Sequence, residues 1–168
     1  MDLMYLDFET FKKNIPRNPS MDFKLKVVDY SSDSEFNDKI ELHRKIFVPN
    51  YDLEAHIKSL KISYGEGNGF GLFLYSNDDL VGALDVEKTN DFVYIMNFGL
   101  IPSLRGKGLG KEFLVESLFT VIDKIGHKFE GIYLLVSKKN LVAKNLYESL
   151  GFSIKNWKIT WFIFHYFS

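Results

Sequence analysis

Apolar and polar positions follow two rhythms along this chain, and the changes between them mark the predicted elements. Residues 23–30 form a β-favouring run that predicts a first strand, and residues 34–47 carry Phe36, Ile40, Leu42 and Ile46 among charges, as an amphipathic helix does. Pro49 and Asn50 break that helix. Asp52 is placed to cap a second one, in which Leu53, Ile57, Leu60 and Tyr64 recur at helical spacing. Residues 70–75 and 80–86 flank Ser76, Asn77, Asp78 and Asp79, a composition that predicts a hairpin. Residues 92–100 are almost wholly apolar, as expected of a central strand covered on both faces, and Pro102 ends the run. Residues 108–125 read as a helix with a stripe of Leu114, Leu118, Val121, Ile122 and Ile125, stopped by Gly126. A short buried strand over 132–136, a helix over 140–150 and a return to strand from Phe152 complete the order β, α, α, β, β, β, α, β, α, β. That order predicts an α/β sandwich without internal repeats. In residues 1–20, Pro16 and Pro19 favour an extended connector, so an N-terminal extension is expected ahead of one domain over 21–168.

Composition narrows the class. The 168 residues, 46% hydrophobic and 16% aromatic, suit a single core. A formal charge of -1, with charges of both signs spread along the chain, gives no footprint for nucleic acid or an anionic membrane and points to small-molecule partners. With no cysteine, the chain has no disulfide, thiolate metal site or cysteine nucleophile, which fits a reducing compartment; a cytoplasmic location is the expectation. The first fifteen residues lack the order of a secretory signal, and the aromatic stretch 161–167 is far below the roughly 20 residues of a membrane-spanning helix. His43, His56, His127 and His165 show no metal-ligand spacing and read as core or surface residues, so no metal is expected.

The most specific local feature lies between a predicted strand and a predicted helix: Arg105, Gly106, Lys107, Gly108, Leu109, Gly110 and Lys111. Glycines let a backbone turn tightly against a ligand, and the start of a helix offers unpaired amides and a positive dipole end to an anion. Arg105, Lys107 and Lys111 add charge at the same rim, which suits a diphosphate. A Walker A loop needs Gly where Arg105 stands and Ser or Thr where Glu112 stands; a dinucleotide fingerprint needs a third glycine at Lys111 or Phe113. Neither fits. Taken alone, the loop leaves a plain helix cap, a nucleotide site and a cofactor cradle open.

Some thirty residues later the strand 132–136 leads into Asn140, Ala143, Leu146, Tyr147, Gly151 and Phe152. The pair of segments, Pro-x-x-Arg-Gly-x-Gly-x-Gly and Asn-x-x-Ala-x-x-Leu-Tyr-x-x-x-Gly-Phe, resembles the two cofactor motifs of the GNAT N-acyltransferase superfamily over residues 23–152. The resemblance implies a mixed central sheet with helices on both faces and strands splayed at the cofactor site. It implies acetyl-CoA as acyl donor, bound by backbone groups of Phe98, Gly99 and Leu100 along the pantetheine and by the amides from Gly106 to Lys111 around the pyrophosphate. Asn140 matches an asparagine that contacts the pantetheine arm, Ala143 belongs to the same motif, and Tyr147 matches a tyrosine that protonates the departing thiolate. Helical spacing also turns Ala143, Leu146, Tyr147 and Leu150 to one face.

On the acceptor side, many relatives carry a glutamate where this chain has Leu135. Asp85 and Glu87, sharing one face of a strand, are the substitute candidates for a base. The expected partner is a small-molecule or peptide amine, selected by the turn at residues 47–51 and by the aromatic C-terminal strands. Residues 157–167 lack a turn signal, and one edge strand pairing two protomers into a homodimer is the expectation. A domain of another class, an idle acyl-CoA-binding or sensor module, is the alternative that Leu135 motivates.

Overall fold

The computed structural model describes residues 1–18, 22–48 and 50–155. The chain forms β1 (Asp2–Asp7), α1 (Phe8–Asn14), β2 (Lys24–Val28), α2 (Asp33–Ile46), α3 (Leu53–Gly65), β3 (Gly69–Ser76), β4 (Asp79–Lys88), β5 (Val93–Leu100), α4 (Leu109–Ile125), β6 (Gly131–Val136), α5 (Leu141–Ser149) and β7 (Ser153–Ile154). The elements start where local chemistry says they should. Asp7, Ser32, Asp52 and Asn140 each accept a hydrogen bond from an amide three residues on, at 2.7, 3.1, 3.0 and 3.2 Å, capping α1, α2, α3 and α5. Each such cap is worth about 1 kcal/mol. Asn77 and Asp78, both at positive φ, close the β3–β4 hairpin as a two-residue turn whose twist matches its strands.

Among the described residues seven strands form one mixed sheet in the order β2-β3-β4-β5-β6-β1-β7. All neighbours are antiparallel except β5 and β6, which run parallel and pair only at Tyr94 with Tyr133 and Ile95 with Leu134. One face of the sheet buries Phe11, Phe113, Leu114, Leu118 and Leu150 from α1, α4 and α5 with their flanks; the other buries Ile40, Ile46, Ile57 and Leu60 from α2 and α3. Helices therefore cover both faces, as the family resemblance implies.

Three differences matter for the site. Residues 2–14, set apart as an extension by the prolines after them, supply a strand and a helix of the same sheet: β1 lies between β6 and β7, with Met4 and Leu6 fully buried. β5 is not uniformly covered, because its second half borders the gap that opens beyond Ile95. It also bulges: between Ala83 paired with Gly99 and Asp85 paired with Met96, one residue of β4 faces two of β5. Asn97, in the bulge, has φ 52°. Of the strand predicted from Phe152, Ser153–Ile154 is described; the proposed edge strand at 157–167 and the dimer built on it lie outside the described residues. No helix among the described residues is long and apolar enough to cross a membrane.

Candidate functional site

Beyond Ile95 and Leu134 the parallel strands part, leaving the β6-facing edge of residues 96–100 without a strand partner among the described residues. The resulting cleft, about 190 Å³, is lined by Phe47, Ile95, Met96, Asn97, Phe98, residues 134–137, Asn140 and Tyr147. An open strand edge can pair with an amide-bearing ligand as it would with another strand. Gly99 is needed here for a second reason: a Cβ would stand 2.4 Å from Ile46 and 3.0 Å from Phe47, so its absence lets the end of α2 rest on β5 beside Leu100.

At the far end of β5, Pro102–Leu104 makes one 3-10 turn and Gly106 and Gly108 follow at φ 74° and 84°. Nothing among the described residues lies within 4 Å of where their Cβ atoms would be, so these glycines serve backbone conformation and open access rather than packing. Gly108 stands at the N-cap of α4 with no side-chain cap, whereas the other four α-helices among the described residues are capped by side chains. The first amides of α4, at Leu109 and Gly110, thus face outward with the positive end of a 17-residue helix behind them. Lys107 and Lys111 are exposed beside them. Arg105 does something else. Its Nε donates to the Leu100 carbonyl and its Nη2 to the Ile46 carbonyl, both at 2.9 Å, so the side chain expected at the phosphate rim instead ties the loop to β5 and to the last turn of α2.

The later motif reaches the cleft from the other wall. Asn140 caps α5 and lines the cleft, and Ala143, whose amide it accepts, packs against the core. Tyr147 is 8% exposed, with its ring 6.3 Å from Phe98 and 5.6 Å from Phe152. Burial pushes its phenol up to about 12, so it is protonated at neutral pH and able to donate. Leu135 lines the same cleft and brings no titratable group. Lys144 donates to Asp2 at 2.8 Å, tying α5 to β1.

The two carboxylates chosen as substitute bases part company. Asp85 and Glu87 share the α3 face of β4, as alternation predicts, but Asp85 is fully buried and saturated. It pairs with Lys39 Nζ at 2.8 Å and accepts hydrogen bonds from Tyr30 at 2.5 Å, Asn97 at 2.8 Å and Tyr64 at 3.3 Å. Burial alone would raise the Asp85 carboxyl; the Lys39 ammonium and the hydrogen bonds from Lys39, Tyr30 and Asn97 outweigh it and hold the carboxyl below its usual range. Burial and then the Asp85 charge push both tyrosines well above theirs. A carboxylate so enclosed is not open to an acceptor amine. Glu87 instead lines a large cavity of about 970 Å³ between α3, the β4–β5 connection and the end of α4. Burial raises its carboxyl, against a lowering hydrogen bond from Ser63.

Residues that the sequence reading passed over complete the picture. Lys39 lies in the apolar stripe of α2 with Phe36, Ile40 and His43, a charge at an inward position. Asn97 is the polar residue interrupting the apolar run of β5. Its Nδ2 reaches His56 Nε2 at 3.1 Å as well as Asp85. His43, read as core or surface, is core: it is 2% exposed, its Nε2 is 2.9 Å from the Tyr51 hydroxyl, and burial and then Lys39 lower it to about 4. His56, by contrast, lines the large cavity. The side chain of His127 and all of His165 lie outside what is described. No cluster of three or more His, Asp or Glu placed to hold a metal occurs among the described residues.

Comparison with known proteins places this geometry. Residues 36–152 match the Acetyltransferase (GNAT) family. No curated protein matches the sequence. Among solved structures, the aminoglycoside N-acetyltransferase AAC(6')-Iy in complex with CoA superposes with a TM-score of 0.64 at 14% identity, over 84% of this chain and 94% of that one. The ribosomal-protein-S18-alanine N-acetyltransferase of Escherichia coli gives 0.60 at 20% identity, over 77% and 76%. A conserved protein of unknown function from Staphylococcus epidermidis gives 0.63 at 18% identity over 92% of this chain, which spans 57% of that protein's length.

Proposed function

Because the chain belongs to the GNAT acetyltransferase family, we propose that it moves an acetyl group from acetyl-CoA to a primary amine by direct attack. The observation that carries this reading is the uncapped start of α4 behind two left-handed glycines, aligned with the open edge of β5. The pyrophosphate fits the loop amides, with Lys107 and Lys111 beside it. The pantetheine amides fit the free edge at Phe98, Gly99 and Leu100, with Asn140 opposite, and the thioester falls near the bulge at Asn97. In that pose the β5 amides polarise the carbonyl and Tyr147 donates its proton to the leaving sulfur. The acceptor enters from the cavity of about 970 Å³, which meets the cleft at Met96 and lies within the range of small-molecule sites.

Relatives of this fold include enzymes named for an aminoglycoside and for a protein alanine, so both amine classes belong in the test. Acetyl-CoA at tenfold over its Kd should raise the melting temperature, and thiol release should follow on adding one of a panel of polyamines, amino acids, aminoglycosides and peptide N-termini. The rival, an idle acyl-CoA-binding domain, draws support from Leu135 and from the enclosure of Asp85. It shares the thermal shift and lacks the thiol release. Absence of any shift would sink both.

A further inference from the structure

An alkyl ammonium with a pKa of roughly 10 cannot attack a thioester until a proton leaves it. Carboxylates do not fill that need here. Asp85 is enclosed, Leu135 has nothing to offer, and Glu87 sits at the level of Tyr94, about 10 Å along the strand from Asn97. His56 does reach the place. It lines the acceptor cavity, and its Nε2 is hydrogen-bonded to Asn97, which lines the cleft, so the pair forms the partition between the two spaces together with Met96.

The tautomer follows from the neighbours. Asn97 Nδ2 faces the Asp85 carboxylate at 2.8 Å, and the flipped amide would set oxygen against oxygen. The atom facing His56 is therefore a donor, which makes His56 Nε2 the acceptor and leaves the ring proton on Nδ1. Asp85 enforces this because Lys39 keeps it ionised. Facing or flanking the imidazole are Lys39 and His43 from α2, Tyr51 before α3, Asp85 and Glu87 from β4, and Tyr94 from β5. Burial lowers the His56 imidazole, Asp85 opposes it and Lys39 adds to it, so the ring is neutral at pH 7 with a lone pair aimed at the bulge.

Resting on the acyl-transfer reading above, we propose that His56 is the catalytic base of this site, and that Asn97 and Asp85 are positioning residues that aim its Nε2 at the acceptor. An ammonium is a stronger donor than an amide and displaces Asn97 from Nε2. The N–H bond breaks with its proton going to Nε2, and the freed electron pair forms the N–C bond. The C–S bond then breaks with its pair on sulfur, which takes the Tyr147 proton. The second proton on the new amide nitrogen returns through solvent to the tyrosinate, and the imidazolium releases its proton to solvent.

The test uses the full chain and whichever panel amine the wild type acetylates. His56→Gln should retain acetyl-CoA affinity within about twofold while kcat/KM at pH 7 falls by about 100-fold or more. The deficit should narrow toward pH 10, where the free amine needs no base, and imidazole should partly restore His56→Ala. A deficit that stays constant from pH 6 to 10, or a variant within threefold of wild type, overturns the assignment and leaves acyl transfer standing. Failure of the wild type to acetylate any amine overturns acyl transfer, and the base assignment with it. Should both variants misfold, histidine 15N spectra of the wild type decide: a neutral ring protonated at Nδ1 supports the proposal, and protonation at Nε2 at pH 7 overturns it.

Discussion

Replacing Lys39 by Met tests whether the Asp85 cluster is an ion pair that the fold depends on. The two side chains are 1% and 0% exposed with Nζ 2.8 Å from Oδ2, and Met fills nearly the same volume, so the change removes a charge more than it opens a hole. Tyr30, Tyr64 and Asn97 remain as donors, but none is cationic. Leaving one charge of a buried pair uncompensated costs about 3–5 kcal/mol, and urea unfolding at pH 7 should show that loss. The pH dependence carries the sign. In the wild type the Asp85 carboxyl is depressed, so its contribution is present above the unfolded carboxyl pKa, near 4, and is lost as pH falls through the folded value. In Lys39→Met burial dominates and the carboxyl rises, so the folded variant holds a proton that the unfolded chain has released. Its stability then falls as pH climbs, and the gap between the two proteins should shrink from pH 7 to 4.5. Adding Asp85→Asn to Lys39→Met should restore at least 1 kcal/mol at pH 7, by removing the stranded charge. A single-variant cost below about 1 kcal/mol, or a gap independent of pH, would refute the reasoning.

Other outcomes follow from the same geometry. His43, held neutral with its pKa lowered to about 4, is stabilising in full above the unfolded value near 6.5; that contribution, on the order of 3 kcal/mol, should drain away between pH 6.5 and 4. A His43→Gln variant followed by urea unfolding across that window should lose the slope; retaining it would contradict the assignment. Gly108→Ala places a side chain at φ 84° in open space, so its cost of about 1–2 kcal/mol is conformational. Calorimetry should find acetyl-CoA binding weakened about tenfold or more, and unchanged affinity would remove these amides from the cradle. Tyr147→Phe should bind acetyl-CoA as the wild type does and release CoA about 100-fold more slowly; an unaltered rate would leave the phenol a packing residue.

Local rules carried the sequence reading furthest. Asp52 caps its helix, and Asn77 with Asp78 turns the hairpin, because each feature is decided within four residues. The tight turn of the glycine loop was legible for the same reason, although the inward turn of Arg105 depends on the Ile46 carbonyl, which lies on another element. Alternation put Asp85 and Glu87 on one face but cannot say whether that face meets water or a second layer; α3 and Tyr30 enclose the first and leave the second at a cavity. Lys39 and Asn97 carried a signal, a polar residue inside an apolar pattern, that points to a buried partner without naming it. Residues 2–7 were missed because a run as short as Leu3, Met4, Tyr5 and Leu6 becomes a strand through partners at 131–136 and 153–154.

That pairing sets a timetable for synthesis. β1 is translated ahead of the rest of its sheet, with Leu3, Met4 and Leu6 destined for burial, yet both neighbours in the sheet are translated more than a hundred residues later. At roughly 5–20 residues per second the strand waits on the order of ten seconds for its partners. The cleft proposed for acetyl-CoA is framed by β6 and α5, the same late segments that β1 grips, Asp2 holding Lys144 included. A sticky strand therefore stays unpaired until the segments that complete the cleft have been made, so yield in the cell should respond to chaperone supply and to the codons between the two.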